Sequence, residues 1–129
     1  MRKVLFVCTE NACRSQMAES FFNKYSKRFR AVSAGSRPAK VIDPKTIKVM
    51  REEDVDLTGK PTNRLNLMVK EKFDYVVTMG CEDSCPVAPA KKTISWDIED
   101  PKGGSVEKYR EVRDEIKVKI KELINSIEE

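Results

Sequence analysis

A cysteine at position 8, an arginine at 14 and a serine at 15 place a nucleophile, a fixed positive charge and a hydroxyl in one short stretch, VLFVCTENACRSQMAE, residues 4–19. The stretch opens as an apolar run and closes as an amphipathic helix, so Cys8 to Ser15 spans a strand-to-helix turn. Such a turn can aim successive backbone N–H groups at one point, where they make an anion site. The field of those amides and of a helix N-terminus favours the thiolate, the form in which cysteine acts as a nucleophile. Arg14 is planar and always charged, and can hold two oxygens of a tetrahedral oxyanion. Ser15 can donate to the sulfur and ease its departure as a leaving group. Asn11 is the residue of the turn best able to take a left-handed backbone conformation where glycine is absent. The competing reading, a small buried cysteine beside an exposed helical arginine, does not explain the strand–loop–helix setting.

Elements on either side must position these groups. Lys3 to Val7 is an apolar run suited to a buried parallel strand. After Ser15, residues Met17, Ala18, Phe21, Phe22 and Tyr25 recur at helical spacing. A second strand is expected over Arg30 to Ser33, and a helix from Pro44 through Met50. A short helix is expected over Leu65 to Lys72, a buried strand over Tyr75 to Met79, and a last strand over 93–96. Tyr109, Val112, Ile116, Ile120, Leu123 and Ile127 form the apolar stripe of a final helix. Strands alternating with helices imply a parallel sheet covered on both faces and joined by right-handed crossovers. Ligands of such sheets bind at the carboxyl ends of the strands. The segments leaving those ends carry Cys8, then Cys81 and Cys85, then Asp97 and Asp100.

Composition narrows the classes. A chain of 129 residues is read as one domain, 1–129, and its 40% hydrophobic and 36% charged content suits a globular protein rather than a disordered one. No apolar run approaches the roughly 20 residues of a membrane span, and MRKVLFVC is too short for a signal-peptide core. The expectation is a cytoplasmic monomer with no membrane partner. The net charge of +4 is dispersed, and no aromatic-studded basic stripe marks a nucleic-acid partner. Four cysteines in such a chain point to metal binding, catalysis or redox chemistry rather than a disulfide framework. With no histidine in the sequence, cysteine–histidine dyads, serine–histidine–aspartate triads and mixed cysteine–histidine zinc sites are removed.

CTENACRSQMAE closely resembles the phosphate-binding loop of the low-molecular-weight protein tyrosine phosphatase superfamily, and within it the thioredoxin-coupled arsenate reductases. VSAG at 32–35, DYVVTMGCEDSCP at 74–86, WDIEDP at 96–101 and VRDEIKVKIKELI at 112–124 extend the resemblance along nearly the whole chain. It implies a flavodoxin-like three-layer α/β sandwich, with a four-stranded parallel sheet of order 2-1-3-4 and helices on both faces. It also implies that Cys8 is the nucleophile and Arg14 the oxyanion clamp. Thr9, Glu10, Asn11, Ala12, Cys13, Arg14 and Ser15 supply the loop that takes arsenate, phosphate or sulfate, and Ser15 assists the thiolate. Asp100 matches the general acid in preference to Asp97; a residue before proline is held extended, which helps to aim its carboxyl.

Cys81 and Cys85 separate the two branches. A phosphatase needs neither, and here Asp100-Pro101 is followed by KGG instead of the aromatic residues that recognise phosphotyrosine. In the reductases, Cys81 would attack Cys8 to release arsenite and leave a Cys8–Cys81 disulfide. Cys85 would then pass this on as Cys81–Cys85, which thioredoxin reduces. No tightly bound cofactor is implied. The family's potassium site is matched by Asn11, Glu19 and Ser33, but Asn63 stands at the place of an aspartate, which argues against the ion. Glu10 puts a negative charge into an anion loop and is expected to point to water. Cys13 is read as a packing residue, with a protective Cys8–Cys13 disulfide as the other use. The alternatives are a low-molecular-weight phosphatase working through a Cys8 phosphoenzyme and, from another class, a four-cysteine zinc module that binds a partner.

Overall fold

The structure, a computed structural model, describes residues 2–65, 71–80 and 90–128. Its elements run β1 (Arg2–Cys8), α1 (Arg14–Tyr25), β2 (Phe29–Gly35), α2 (Pro44–Arg51), β3 (Phe73–Met79), β4 (Ala90–Trp96) and α3 (Val106–Ile127). The four strands form one sheet in the order β2-β1-β3-β4, every pairing parallel. Order and sense are those of a flavodoxin-like α/β sheet, as the sequence implies.

Side chains alternate across a strand, and in β1 that alternation decides which way Cys8 faces. Val4, Phe6 and Cys8 face a core shared with Met17, Phe21 and Phe22 of α1, Met50 of α2 and Ile116 and Ile120 of α3. Leu5 and Val7 face the opposite side with Ala34, Leu65, Phe73 and Val76. Phe6, Phe21, Phe22 and Met17 are fully buried, each contributing about 2 kcal/mol by removal from water. Cys8 thus ends a strand locked between its neighbours, in register with Gly35 of β2, while Val7 is in register with Thr78 of β3.

Helix starts follow local chemistry. Pro44 is the first residue of α2, and Asp43 caps it by accepting from the Lys45 N–H at 2.9 Å. Ser105 caps α3 in the same way. Helix α1 begins after Cys13 with no side-chain cap, so its first amides remain available. The strands reach further than the apolar runs predicted, because edge residues such as Lys91 and Lys92 are exposed and join β4 through backbone pairing with β3. The helix expected over Leu65 to Lys72 falls largely on 66–70, outside the described residues. Among the described residues, no helix is long and apolar enough to cross a membrane.

Candidate active site

Four carbonyls of the turn after β1 accept hydrogen bonds from the segment after β2. Ser36 N–H donates to Cys8 O at 3.3 Å, Arg37 N–H to Thr9 O at 2.8 Å, Ala39 N–H to Glu10 O at 2.9 Å and Asp43 N–H to Ala12 O at 3.1 Å. In a trans peptide the C=O and the following N–H point opposite ways. Fixing the carbonyls outward therefore turns the amides of Thr9, Glu10, Asn11 and Cys13 toward the concave side of the turn. None of the N–H groups of residues 10–15 donates to another group among the described residues. The turn needs a left-handed residue, and Asn11 supplies it with φ 53°. It also needs a close neighbour without a side chain: a Cβ on Gly35 would lie 2.6 Å from Thr9 O and 2.8 Å from Asn11 N.

Cys8 is 2% exposed and lies 2.9 Å from Ser15 Oγ, Sγ to Oγ. The direction of that bond follows from the groups behind it. Asn63 N–H donates to Asn11 Oδ1 at 2.8 Å, which fixes the oxygen end of the Asn11 amide. Its nitrogen end must then donate, to Ser15 Oγ at 2.6 Å and to Ser33 Oγ at 2.9 Å. Ser15 accepts from Asn11 and turns its own hydrogen to the sulfur. Ser33 likewise accepts from Asn11 and donates to Glu19 Oε1 at 2.8 Å.

Arg14 is 4% exposed. Its Nη1 donates to Met79 O at 2.7 Å and Ile98 O at 3.1 Å, and its Nη2 lies 3.5 Å from Asp100 Oδ2. The ends of β3 and of the segment after β4 therefore aim the guanidinium. Asp100, 42% exposed at its side chain, accepts from Lys102 N–H at 3.1 Å. Cys8, Cys13, Arg14 and Asp100 line one cleft of about 320 Å³, whose apolar wall is Ala39, Val41, Ile42 and Pro44. Asp97 is exposed and does not line it. Cys13 is buried among the core residues with a free thiol that burial pushes up to about 12. Cys81 and Cys85 lie outside the described residues.

Glu10 stays partly exposed, and there its two carboxylate oxygens each accept from Lys102 Nζ at 2.8 Å, which offsets its negative charge. Nothing in the spacing of Glu10 and Lys102 signals this pairing. Gly80, which with Pro86 brackets the segment carrying the later cysteines in the sequence, has a second role that the sequence does not signal. Its φ is +68°, and a Cβ there would lie 2.5 Å from Arg14 Nη1. Gly80→Ala is expected to displace the guanidinium and lower kcat/KM about 10- to 100-fold, with about 1 kcal/mol lost in stability. Steady-state kinetics beside a urea titration separate the two effects.

A cysteine-bearing loop with a buried arginine thus lies at the carboxyl edge of a 2-1-3-4 sheet. The sequence matches the low molecular weight phosphotyrosine protein phosphatase family over residues 3–129, and the chain belongs to it. Its relatives point to one branch. Arsenate reductase 1 of Bacillus cereus is 37% identical over 124 residues, 93% of this chain and 92% of that protein. The glutaredoxin arsenate reductase of a Synechocystis species is 33% identical, covering 98% and 99%. Among solved structures, the arsenate reductase of Archaeoglobus fulgidus superposes with a TM-score of 0.83 at 35% identity, covering 95% and 98%. The thioredoxin-dependent arsenate reductase of Corynebacterium glutamicum superposes with a TM-score of 0.78 at 32% identity, over 99% of this chain and 62% of that one.

Proposed function

We propose that this chain is an arsenate reductase acting in the cytoplasm as a one-domain monomer, with no membrane or nucleic-acid partner. The observation that carries the reading is the convergence of Cys8, Arg14 and Asp100 on one cleft, in a chain with two further cysteines after β3. Arsenate enters the turn, where the amides of Thr9 to Ser15 and the guanidinium of Arg14 hold its oxygens. The Cys8 thiolate attacks arsenic, and Asp100 gives a proton to the displaced oxygen, which leaves as water. Cys81, as thiolate, attacks the Cys8 sulfur. The electron pair of the sulfur–arsenic bond stays on arsenic, which leaves as arsenite, and the two sulfurs form a disulfide. Cys85 attacks Cys81, which frees Cys8 with Ser15 donating to the departing sulfur. A dithiol protein of the thioredoxin kind then reduces Cys81–Cys85 by the same exchange chemistry.

Phosphate-ester hydrolysis is a second activity of the same site, since it needs only Cys8, Arg14 and Asp100. The apolar wall of Ala39, Val41, Ile42 and Pro44 beside Asp100 suits the organic part of an ester. Changing the later cysteines separates the readings. Cys81→Ser and Cys85→Ser are each expected to abolish multiple-turnover arsenate reduction with thioredoxin, thioredoxin reductase and NADPH, and to leave aryl-phosphate hydrolysis within about twofold, because exchange requires a thiolate at each sulfur. Arsenate turnover surviving in either variant would overturn the three-thiol relay, and a wild type that hydrolyses the ester without reducing arsenate would be a phosphatase.

A further inference from the structure

The family resemblance implies potassium held by Asn11, Glu19, Ser33 and an aspartate, and the donor set of this chain does not fit that ion. Asn11 Oδ1 already accepts from Asn63 N–H at 2.8 Å and Gln16 Nε2 at 3.0 Å. Glu19, 8% exposed, has Oε1 accepting from Ser33 Oγ at 2.8 Å. Asn63, at the aspartate's place, offers an amide Nδ2 that donates to Ser33 O at 3.0 Å. N–H groups thus stand where a cation needs oxygens. The remaining carboxylate oxygen, Glu19 Oε2, accepts from the ammonium of Lys60.

We propose that Lys60 is a positioning residue whose ammonium replaces the monovalent cation as counter-charge to Glu19, holding the polar chain that ends on Cys8. The chain is continuous: Lys60 donates to Glu19, Ser33 donates to Glu19, Asn11 donates to Ser33 and to Ser15, and Ser15 donates to Cys8. A buried carboxylate without a counter-charge is costly, and Glu19 here finds its partner in the turn after α2, where Lys60 N–H donates to Leu57 O at 3.1 Å. The Glu19 charge keeps the Ser33 hydrogen turned toward it, which leaves Ser33 Oγ to accept from Asn11, whose amide the Asn63 N–H orients. The inference rests on Cys8 being the nucleophile, but not on arsenate being its substrate.

The test compares wild type, Lys60→Gln and Lys60→Arg in potassium chloride and in tetramethylammonium chloride at equal ionic strength, reading thermal midpoint and aryl-phosphate hydrolysis. Wild type and Lys60→Arg are expected to show the same midpoint and kcat/KM in both salts. Lys60→Gln is expected to lose about 5 °C and about tenfold in kcat/KM in both salts, because the N–H groups of Asn63 and Gln16 still stand where potassium needs oxygens. A wild type that is stabilised or activated by potassium overturns the proposal, as does a Lys60→Gln variant equal to wild type in both salts. If Lys60→Gln folds in neither salt, Lys60→Arg decides: indifference to potassium supports the proposal and dependence on it overturns it. If arsenate is not reduced by the wild type while these ester readouts follow expectation, the substrate assignment fails and the role of Lys60 stands.

Discussion

Cys8→Ser removes arsenate reduction and aryl-phosphate hydrolysis together, each by about 10⁴-fold or more in kcat/KM. A serine oxygen is not ionised at neutral pH and has no adjacent base here, because the chain contains no histidine and Ser15 donates toward position 8 rather than accepting from it. Oxygen also cannot form the disulfide that carries the two electrons to arsenic. The substitution is small, at a site 2% exposed with a hydroxyl neighbour, so the fold and the amide cradle survive it. Circular dichroism should be unchanged, and inorganic phosphate should still raise the thermal midpoint. Residual turnover within about a hundredfold of wild type would mean that another group attacks, since nucleophile removal elsewhere costs far more than that.

The second large effect is expected for Arg14→Lys, which keeps the charge and loses the fork. Two carbonyls, Met79 O and Ile98 O, occupy Nη1, and Nη2 faces Asp100. A single ammonium cannot keep those bonds and also hold two oxygens of a tetrahedral anion. A fall of about 10²- to 10³-fold in kcat/KM is expected for both reactions, the scale seen when one preorganised donor to a transition-state oxyanion is removed. Arsenate and ester kinetics on the same preparation check it; a loss under tenfold in both would show that the amides alone hold the anion. Arg14→Lys also separates the roles of the two cations near the site, because Lys102 pairs with Glu10 rather than with the cleft centre.

The parts of the site that were legible in the sequence are those built from chain-local chemistry. Cys8, Arg14 and Ser15 sit on a strand end and a helix start whose apolar patterns are unambiguous, and Asn11 takes the left-handed turn because nothing else in the loop does so as easily. The family resemblance favours Asp100 over Asp97, in keeping with the proline after it, and Asp100 lines the cleft. The parts that were not legible depend on long-range approach. Lys60 against Glu19 and Lys102 against Glu10 join residues 41 and 92 positions apart, and one lysine looks like another among the 25 basic residues. The lack of a side chain at Gly80 matters because Arg14 crosses directly over it, an approach that no local pattern around residue 80 signals. Strand β4 begins three residues earlier than its apolar run, since an edge strand is held by its neighbour's backbone rather than by burial of its own side chains.

The central claim is that the sulfur of Cys8 receives arsenic and is then relieved of it by Cys81. The most direct measurement uses Cys85→Ser, reduced, freed of thiol and given arsenate with no other reductant. One arsenite per chain should be released, and peptide mapping by mass spectrometry should find the peptide carrying Cys8 joined by a disulfide to the peptide carrying Cys81. Arsenite release with Cys8 joined to Cys13, or with Cys8 left as a free thiol, would contradict the account.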